Sequence, residues 1–129
     1  MENCIFCKII KGEIPCVKIW EDEKHIAFLD VNPVASGHTL VIPKKHTEYI
    51  FDLVDKDYLD LMSVSKIVAE ILKTKLNPKR VGMLVEGFGV DHVHVHLVPI
   101  NKGGQICLQN AKHANLEDLK NLATIILDK

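Results

Sequence analysis

No stretch of this 129-residue sequence approaches the roughly 20 consecutive apolar residues that span a bilayer. The longest apolar runs, around residues 5–10 and 122–127, are short or interrupted, so no membrane partner is expected. Neither sign of charge dominates. Lys and Arg number 16 against 17 Asp and Glu, a net charge of −1. That balance gives no sign of the strongly basic surface that binds nucleic acid, and no nucleic-acid partner is expected. The N-terminus lacks both the apolar segment and the small-residue cleavage site of a secretion signal, so a cytoplasmic chain is expected. Internal repeats, low-complexity tracts and linkers are also missing, which predicts one domain over residues 1–129. What remains is an ordinary globular balance, 47% hydrophobic and 26% charged. A chain of this size buries roughly two thirds of its unfolded surface and needs no disulfides to hold a core.

The local pattern predicts a short helix over residues 4–11, capped by Asn3 and ended by Gly12. Alternation over 17–21 and the apolar run over 25–30, parted by a polar turn, predict a hairpin. After a loop containing Asn32-Pro33 and Ser36-Gly37, residues 38–42 predict a third strand stopped by Pro43. Residues 55–75 form the longest helical pattern, with Tyr58, Leu61, Met62, Ser65, Val68, Ala69 and Leu72 at spacings of three and four. Asn77-Pro78 ends it. Strands follow over 81–85 and 92–100, separated by a glycine-containing loop at 87–91. Asn115 caps a last helix with Leu116, Leu119, Leu122, Ala123 and Ile126 on one face. Helix, three strands, long helix, two strands, helix: this order predicts an α+β fold with a mainly antiparallel sheet of about five strands.

Seven histidines occur, and three of them stand at 92, 94 and 96. Residues two apart on a strand share a face. The three imidazoles therefore project from one side, and Val93, Val95 and Leu97 from the other. Each imidazole brings two nitrogens that need partners, so such a row is wasteful as packing. Two chemistries use it. One is metal binding. The other is covalent catalysis, in which a middle histidine attacks while its neighbours fix its tautomer and hold developing charge. Attack through one ring nitrogen requires the other to donate to a fixed acceptor, commonly a backbone carbonyl. Phosphorus is a suitable target, because a phosphoramidate is labile enough for water to finish the reaction. A two-metal hydrolase would add several carboxylates, and only Asp91 is adjacent. Among the cysteines, Cys4 and Cys7 have the spacing of half a zinc site or of a redox pair. Cys16 and Cys107 are isolated.

His92-Val-His94-Val-His96-Leu-Val98 resembles the histidine triad motif. Cys4-Ile-Phe-Cys7-Lys-Ile-Ile10, Gly12-Glu-Ile-Pro15, Phe28-Leu-Asp30 and the run from Gly37 to His46 resemble the histidine triad nucleotide-binding branch in its bacterial form. The similarity spans nearly the whole chain. It implies a nucleotidyl hydrolase or transferase that cleaves purine nucleoside 5′-phosphoramidates, or related phosphoanhydrides, at the α-phosphate. By this resemblance His94 is the nucleophile, His96 donates to the phosphate or bridging atom, His38 orients the cluster and His92 sits behind the nucleophile. Phe6, Ile9 and Ile14 would line the base site, with Ile5 and Val31 close by, and Asp30 would accept from the ribose hydroxyls. From the residues alone, Phe6 and Ile9 read first as helix packing, and Asp30 reads equally as a strand-end turn. The resemblance also implies a homodimer, joined across the long helix and the fourth strand, and a structural zinc on Cys4, Cys7, His46 and His92. His25 and His113 have no assigned part and read as surface residues.

One stretch departs from the family pattern. Relatives carry a longer loop before the triad with Gly-Gln-Ser or Gly-Gln-Thr. This chain has Glu86-Gly-Phe-Gly-Val-Asp91, with no Gln, Ser or Thr, and Val85 or Glu86 where an asparagine is usual. Backbone N–H groups at Gly89 and Val90 are then expected to meet the phosphate. Asp91 must turn away from it or hold a histidine. Two alternatives follow from the altered loop. One is hydrolysis of dinucleoside polyphosphates; the other is a nucleotide-binding regulatory protein with vestigial catalysis.

Overall fold

The computed structural model describes residues 3–128. Its elements run α1 (Ile5–Ile10), β1 (Lys18–Glu21), β2 (His25–Leu29), β3 (Thr39–Pro43), α2 (Asp55–Leu76), β4 (Arg80–Leu84), β5 (Val95–Ile100) and α3 (Leu116–Leu127). Single 3₁₀ turns at Ile50–Asp52 and Leu108–Asn110 punctuate the loops. The strands form one sheet in the order β1-β2-β3-β5-β4, with every neighbouring pair antiparallel. This is the expected α+β architecture. Among the described residues no helix is long and apolar enough to cross a membrane.

Both faces of the sheet are covered at its centre, which is why β2 and β3 are buried at every position. Ala27, Leu29, Val41, Val95 and Leu97 face α2 and α3 and form the larger core with Leu61, Val64, Val68 and Leu72 of α2. Ile26, Phe28, Leu40 and Ile42 face the other way and pack with Cys4, Phe6 and Cys7 at α1. Val64 is buried on α2, whereas Tyr58, Met62 and Ala69 only edge the core. On α3 the buried set is Leu119, Ala123 and Ile126, and Leu116 is exposed.

The helix ends follow local chemistry. Asn77 takes a left-handed φ of 53° and returns its N–H to Lys73 O, closing α2 before Pro78. Asn115 caps α3 by accepting from the Asp118 N–H at 2.8 Å. At α1 the expected cap is replaced. Cys4, not Asn3, is the cap, and its sulfur accepts from the Cys7 N–H at 3.3 Å. Pro43 closes β3 from inside, pairing with His25 rather than standing beyond the strand. The β5 ladder starts at Val95, not at residue 92. Residues 92–94 nonetheless keep the strand alternation, since Val93 enters the larger core and His92 and His94 lie against Phe6 on the α1 side. His25 corrects another expectation. It is buried, and its Nδ1 meets the Asp22 carboxylate at 3.0 Å. His113 is exposed as expected.

Candidate active site and metal site

His92, His94 and His96 are all buried on the α1 side of the sheet, and β3 and its approach bring His38 beside them. Gly37 permits that approach. Its φ is +92°, and a Cβ there would fall 2.5 Å from Leu76 Cδ1 and 3.0 Å from Pro99 Cγ. The fixed backbone then decides where each imidazole proton sits. His38 Nδ1 accepts from the Val34 N–H at 3.1 Å, so the His38 proton is on Nε2. That Nε2–H faces His96 Nδ1 at 2.9 Å, which must accept, so the His96 proton is on Nε2 as well. His94 Nδ1–H donates to the His92 carbonyl at 2.7 Å, leaving Nε2 as a lone pair. His92 Nε2–H donates to the Pro43 carbonyl at 2.7 Å, leaving its Nδ1 lone pair free.

Burial favours the neutral form of His38, His92 and His96. It depresses His38 to about 4 and His96 to about 4, and nearby His94 and His38 add to the effect at His96. His92 is lowered by burial too, against the opposing Pro43 bond. Asp30 lies at the edge of the cluster, with Oδ2 3.5 Å from His38 Nε2 and Oδ1 accepting from the Asn32 N–H at 2.9 Å. Burial raises its carboxyl above the usual range.

His94 and His96 form one wall of a cavity of about 400 Å³. All eight residues expected around the nucleotide line it: Ile5, Phe6, Ile9, Ile14, Asp30, Val31, Gly89 and Val90. Its size and largely apolar lining suit a small organic ligand. The sequence reading missed Leu108 and Ala111, which also line it. The Lys112 N–H donates to Pro33 O and the Ala114 N–H to Val31 O, so this segment is hung on the loop after Asp30. No local signal marks such a contact, because it depends on the chain returning past α2 and β5. Pro43 and Val34, which set the tautomers through backbone atoms, were likewise invisible in the sequence. Asp91 is exposed and lies outside this cavity, in a neighbouring groove with His46, Glu48 and Asp52.

Behind the row, Cys4, Cys7, His46 and His92 offer four ligand atoms within 4.8 Å of one another. Cys4 Sγ stands 3.4 Å from His92 Nδ1, Cys7 Sγ 3.6 Å from the same atom, and Cys7 Sγ 3.3 Å from His46 Nδ1. A tetrahedral ion with ligand distances of about 2.3 Å to sulfur and about 2.0 Å to nitrogen separates S from N by about 3.5 Å. The cluster has those dimensions and could hold a metal ion. Burial and the neighbouring Cys4 push the Cys7 thiol up, and a cation reverses that tendency by favouring thiolates. Asp30, His38 and His96 also cluster within 4.8 Å. The proton on His38 Nε2, required by the Val34 N–H on the opposite nitrogen, argues against a metal there.

The chain is similar to characterised proteins along nearly its full length. A family model described as HIT domain matches residues 11–103. The adenosine 5′-monophosphoramidase of Saccharomyces cerevisiae is 39% identical, covering 98% of this chain and 82% of that protein. A crystal structure of a Hit-like protein from Bartonella henselae has a TM-score of 0.87 at 30% identity, covering 98% of this chain and 96% of that one. A Zn-bound histidine triad family protein from Mycobacterium smegmatis has a TM-score of 0.81 at 28% identity, covering 98% of this chain and 94% of that one. By the span of the family match and by this identity to relatives, the chain belongs to the HIT domain family.

Proposed function

We propose that this protein hydrolyses purine nucleoside 5′-phosphoramidates by nucleotidyl transfer through His94. The carrying observation is the buried His94 imidazole, whose Nδ1–H is given to the His92 carbonyl while its Nε2 has no partner among the described residues and borders the cavity. In this reading Phe6, Ile9, Ile14, Ile5 and Val31 surround the base and ribose. Asp30 accepts from the ribose hydroxyls, and Gly89 and Val90 approach the phosphate through backbone. His94 Nε2 attacks the α-phosphorus as the P–N bond breaks. His96 Nε2–H stabilises the phosphate charge and passes its proton to the leaving amine. Water then attacks the nucleotidyl-His94 intermediate, releases the monophosphate and returns a proton to His96. His38 holds His96 in the donating tautomer throughout.

The similarity to an adenosine 5′-monophosphoramidase supports this substrate class. Electrostatics supports it over dinucleoside polyphosphates. The groove that shares Ile5, Gly89 and Val90 with the cavity presents Glu48, Asp52 and Asp91, and no lysine or arginine among its described lining residues. A polyphosphate leaving group would meet carboxylates there without a compensating cation. The fully assembled, hydrogen-bonded histidine chain opposes a purely regulatory role. Hydrolysis of adenosine 5′-phosphoramidate by the protein and by His94→Asn tests the reading. Turnover is expected to fall at least a thousandfold, about 4 kcal/mol, while the monophosphate still binds. Equal turnover by both proteins would sink it.

Zinc is the proposed ion of the Cys4, Cys7, His46 and His92 cluster. Two thiolates and two imidazoles form a closed soft set, and the similar mycobacterial protein is Zn-bound. The bound ion would neutralise the buried thiolates and tie α1 to His92. Elemental analysis of protein purified without chelator is expected to give about one zinc per chain, with most of it lost in Cys4→Ser combined with Cys7→Ser. We also propose a cytoplasmic homodimer of single-domain chains. The edge strand β4 and the outer face of α2 expose Met83, Leu59 and Ile67, which a second copy would cover.

A further inference from the structure

Two kinds of residue share α1 and its cap. Cys4 and Cys7 face the sulfur–imidazole cluster, while Ile5, Phe6 and Ile9 wall the cavity. The helix is six residues long, too short to be stable by itself in water. Its position is therefore set by what it packs on and by what its sulfurs bind. Phe6 stands at the join. Its ring meets His94 edge-on with centroids 5.2 Å apart, and His92 at 5.9 Å. Besides its Nε2–H bond to the Pro43 carbonyl, His92 is tied in three further directions. Its ring Nδ1 faces both sulfurs, its backbone N–H donates to Val90 O at 2.9 Å, and its carbonyl accepts from His94 Nδ1. One residue thus offers a metal ligand, anchors a cavity wall and fixes the proton of the attacking imidazole.

We infer that the metal cluster and the nucleotide cavity form one thermodynamic unit, with His92 and Phe6 as its positioning residues. Metal on the cluster strengthens nucleoside monophosphate binding, and the nucleotide strengthens metal retention by the same factor. This rests on the nucleotide reading given above. The reason is ordering. Without the ion, α1 is held by a small apolar cluster and weak thiol–imidazole contacts, and a nucleotide must order Ile5, Phe6 and Ile9 as it binds. That ordering subtracts from its affinity. With the ion in place, the wall is already built. A coupling free energy between two ligands is reciprocal, so either affinity can report it.

Calorimetric titration of the full-length protein with adenosine 5′-monophosphate, zinc-loaded and after chelator treatment, tests this. The Kd is expected to be about tenfold weaker without metal, a factor usual for coupled sites. Chelator competition on the loaded protein, with and without saturating nucleotide, reads the same factor from the other side. It does not require the metal-free protein to stay folded. With cobalt(II) in place of zinc, the visible absorption of the site is expected to shift when nucleotide binds. Phe6→Leu is expected to keep zinc affinity, measured without nucleotide, and to bring the coupling factor towards one. Equal zinc release with and without bound nucleotide would overturn the linkage. Failure of the nucleotide to bind even the loaded protein would instead overturn the nucleotide reading.

Discussion

On one face of the sheet, a 22-residue helix and a 12-residue helix cover Ala27, Leu29, Val41, Val95 and Leu97. On the other, a six-residue helix covers part of the surface, and four histidines and a cavity of about 400 Å³ occupy the rest. The same strands build both. Along residues 92–97, odd positions enter the apolar core and even positions carry imidazoles, so each histidine adjoins a fully buried neighbour. The packed face supplies rigidity. The open face spends it on orienting protons, through fixed carbonyls at His92 and Pro43 and a fixed N–H at Val34. Chemistry and stability are thereby separated by one step along a strand, and substitutions can test how complete the separation is.

The largest expected effect belongs to the open face. His94→Asn should remove at least three orders of magnitude of turnover. Its melting temperature should fall far less than that of a core truncation, since His94 gives its one hydrogen bond to a carbonyl. A comparable loss of fold would show the two faces are not separable. Next comes the packed face. Leu97→Ala should cost roughly 2–5 kcal/mol of stability by urea unfolding. The folded fraction should keep its turnover within a few-fold, because Leu97 faces α2 and α3 rather than the cavity. Loss of turnover in fully folded Leu97→Ala would mean that the histidine register depends on core volume.

A pH series sharpens the comparison further. His38 and His96 sit near 4 in the folded protein, against 6.5 for an ordinary imidazole. Between those values the unfolded chain binds more protons than the native one, so stability is full above about 6.5 and falls as pH drops towards 4. His38→Asn should flatten that limb, measured as urea midpoint against pH, and should lower turnover by removing the donor to His96 Nδ1. An unchanged slope would show the acid sensitivity lies elsewhere. The smallest effect concerns neither face directly. Asn115→Ala removes the cap of α3 and should cost about 1 kcal/mol, with turnover unchanged.

Much of this architecture is legible in the sequence because it is carried by short-range periodicity. The alternation of valine and histidine over residues 92–96 places three imidazoles on one face whatever the ladder does, and it survives although pairing begins only at Val95. The apolar stripe of residues 55–75 specifies α2, and Asn77-Pro78 its end. Partners contributed by backbone atoms of distant segments were not legible. His25 reads as a surface residue because no part of the site claims it. It is buried because α2 lies over it and Asp22 turns back to meet it.

By itself, then, the sequence determined the fold class, the histidine row and the Cys4–Cys7 pair, since these depend on residue type, on short spacing and on periods of two and 3.6. Tertiary structure alone decided which nitrogen of each imidazole carries the proton and which distant segment also lines the cavity. It also decided that Cys4, Cys7, His46 and His92 converge behind the histidine row. Those outcomes depend on where Val34, Pro43 and residues 108–114 lie in space, and a backbone carbonyl or N–H has no sequence signature of its own.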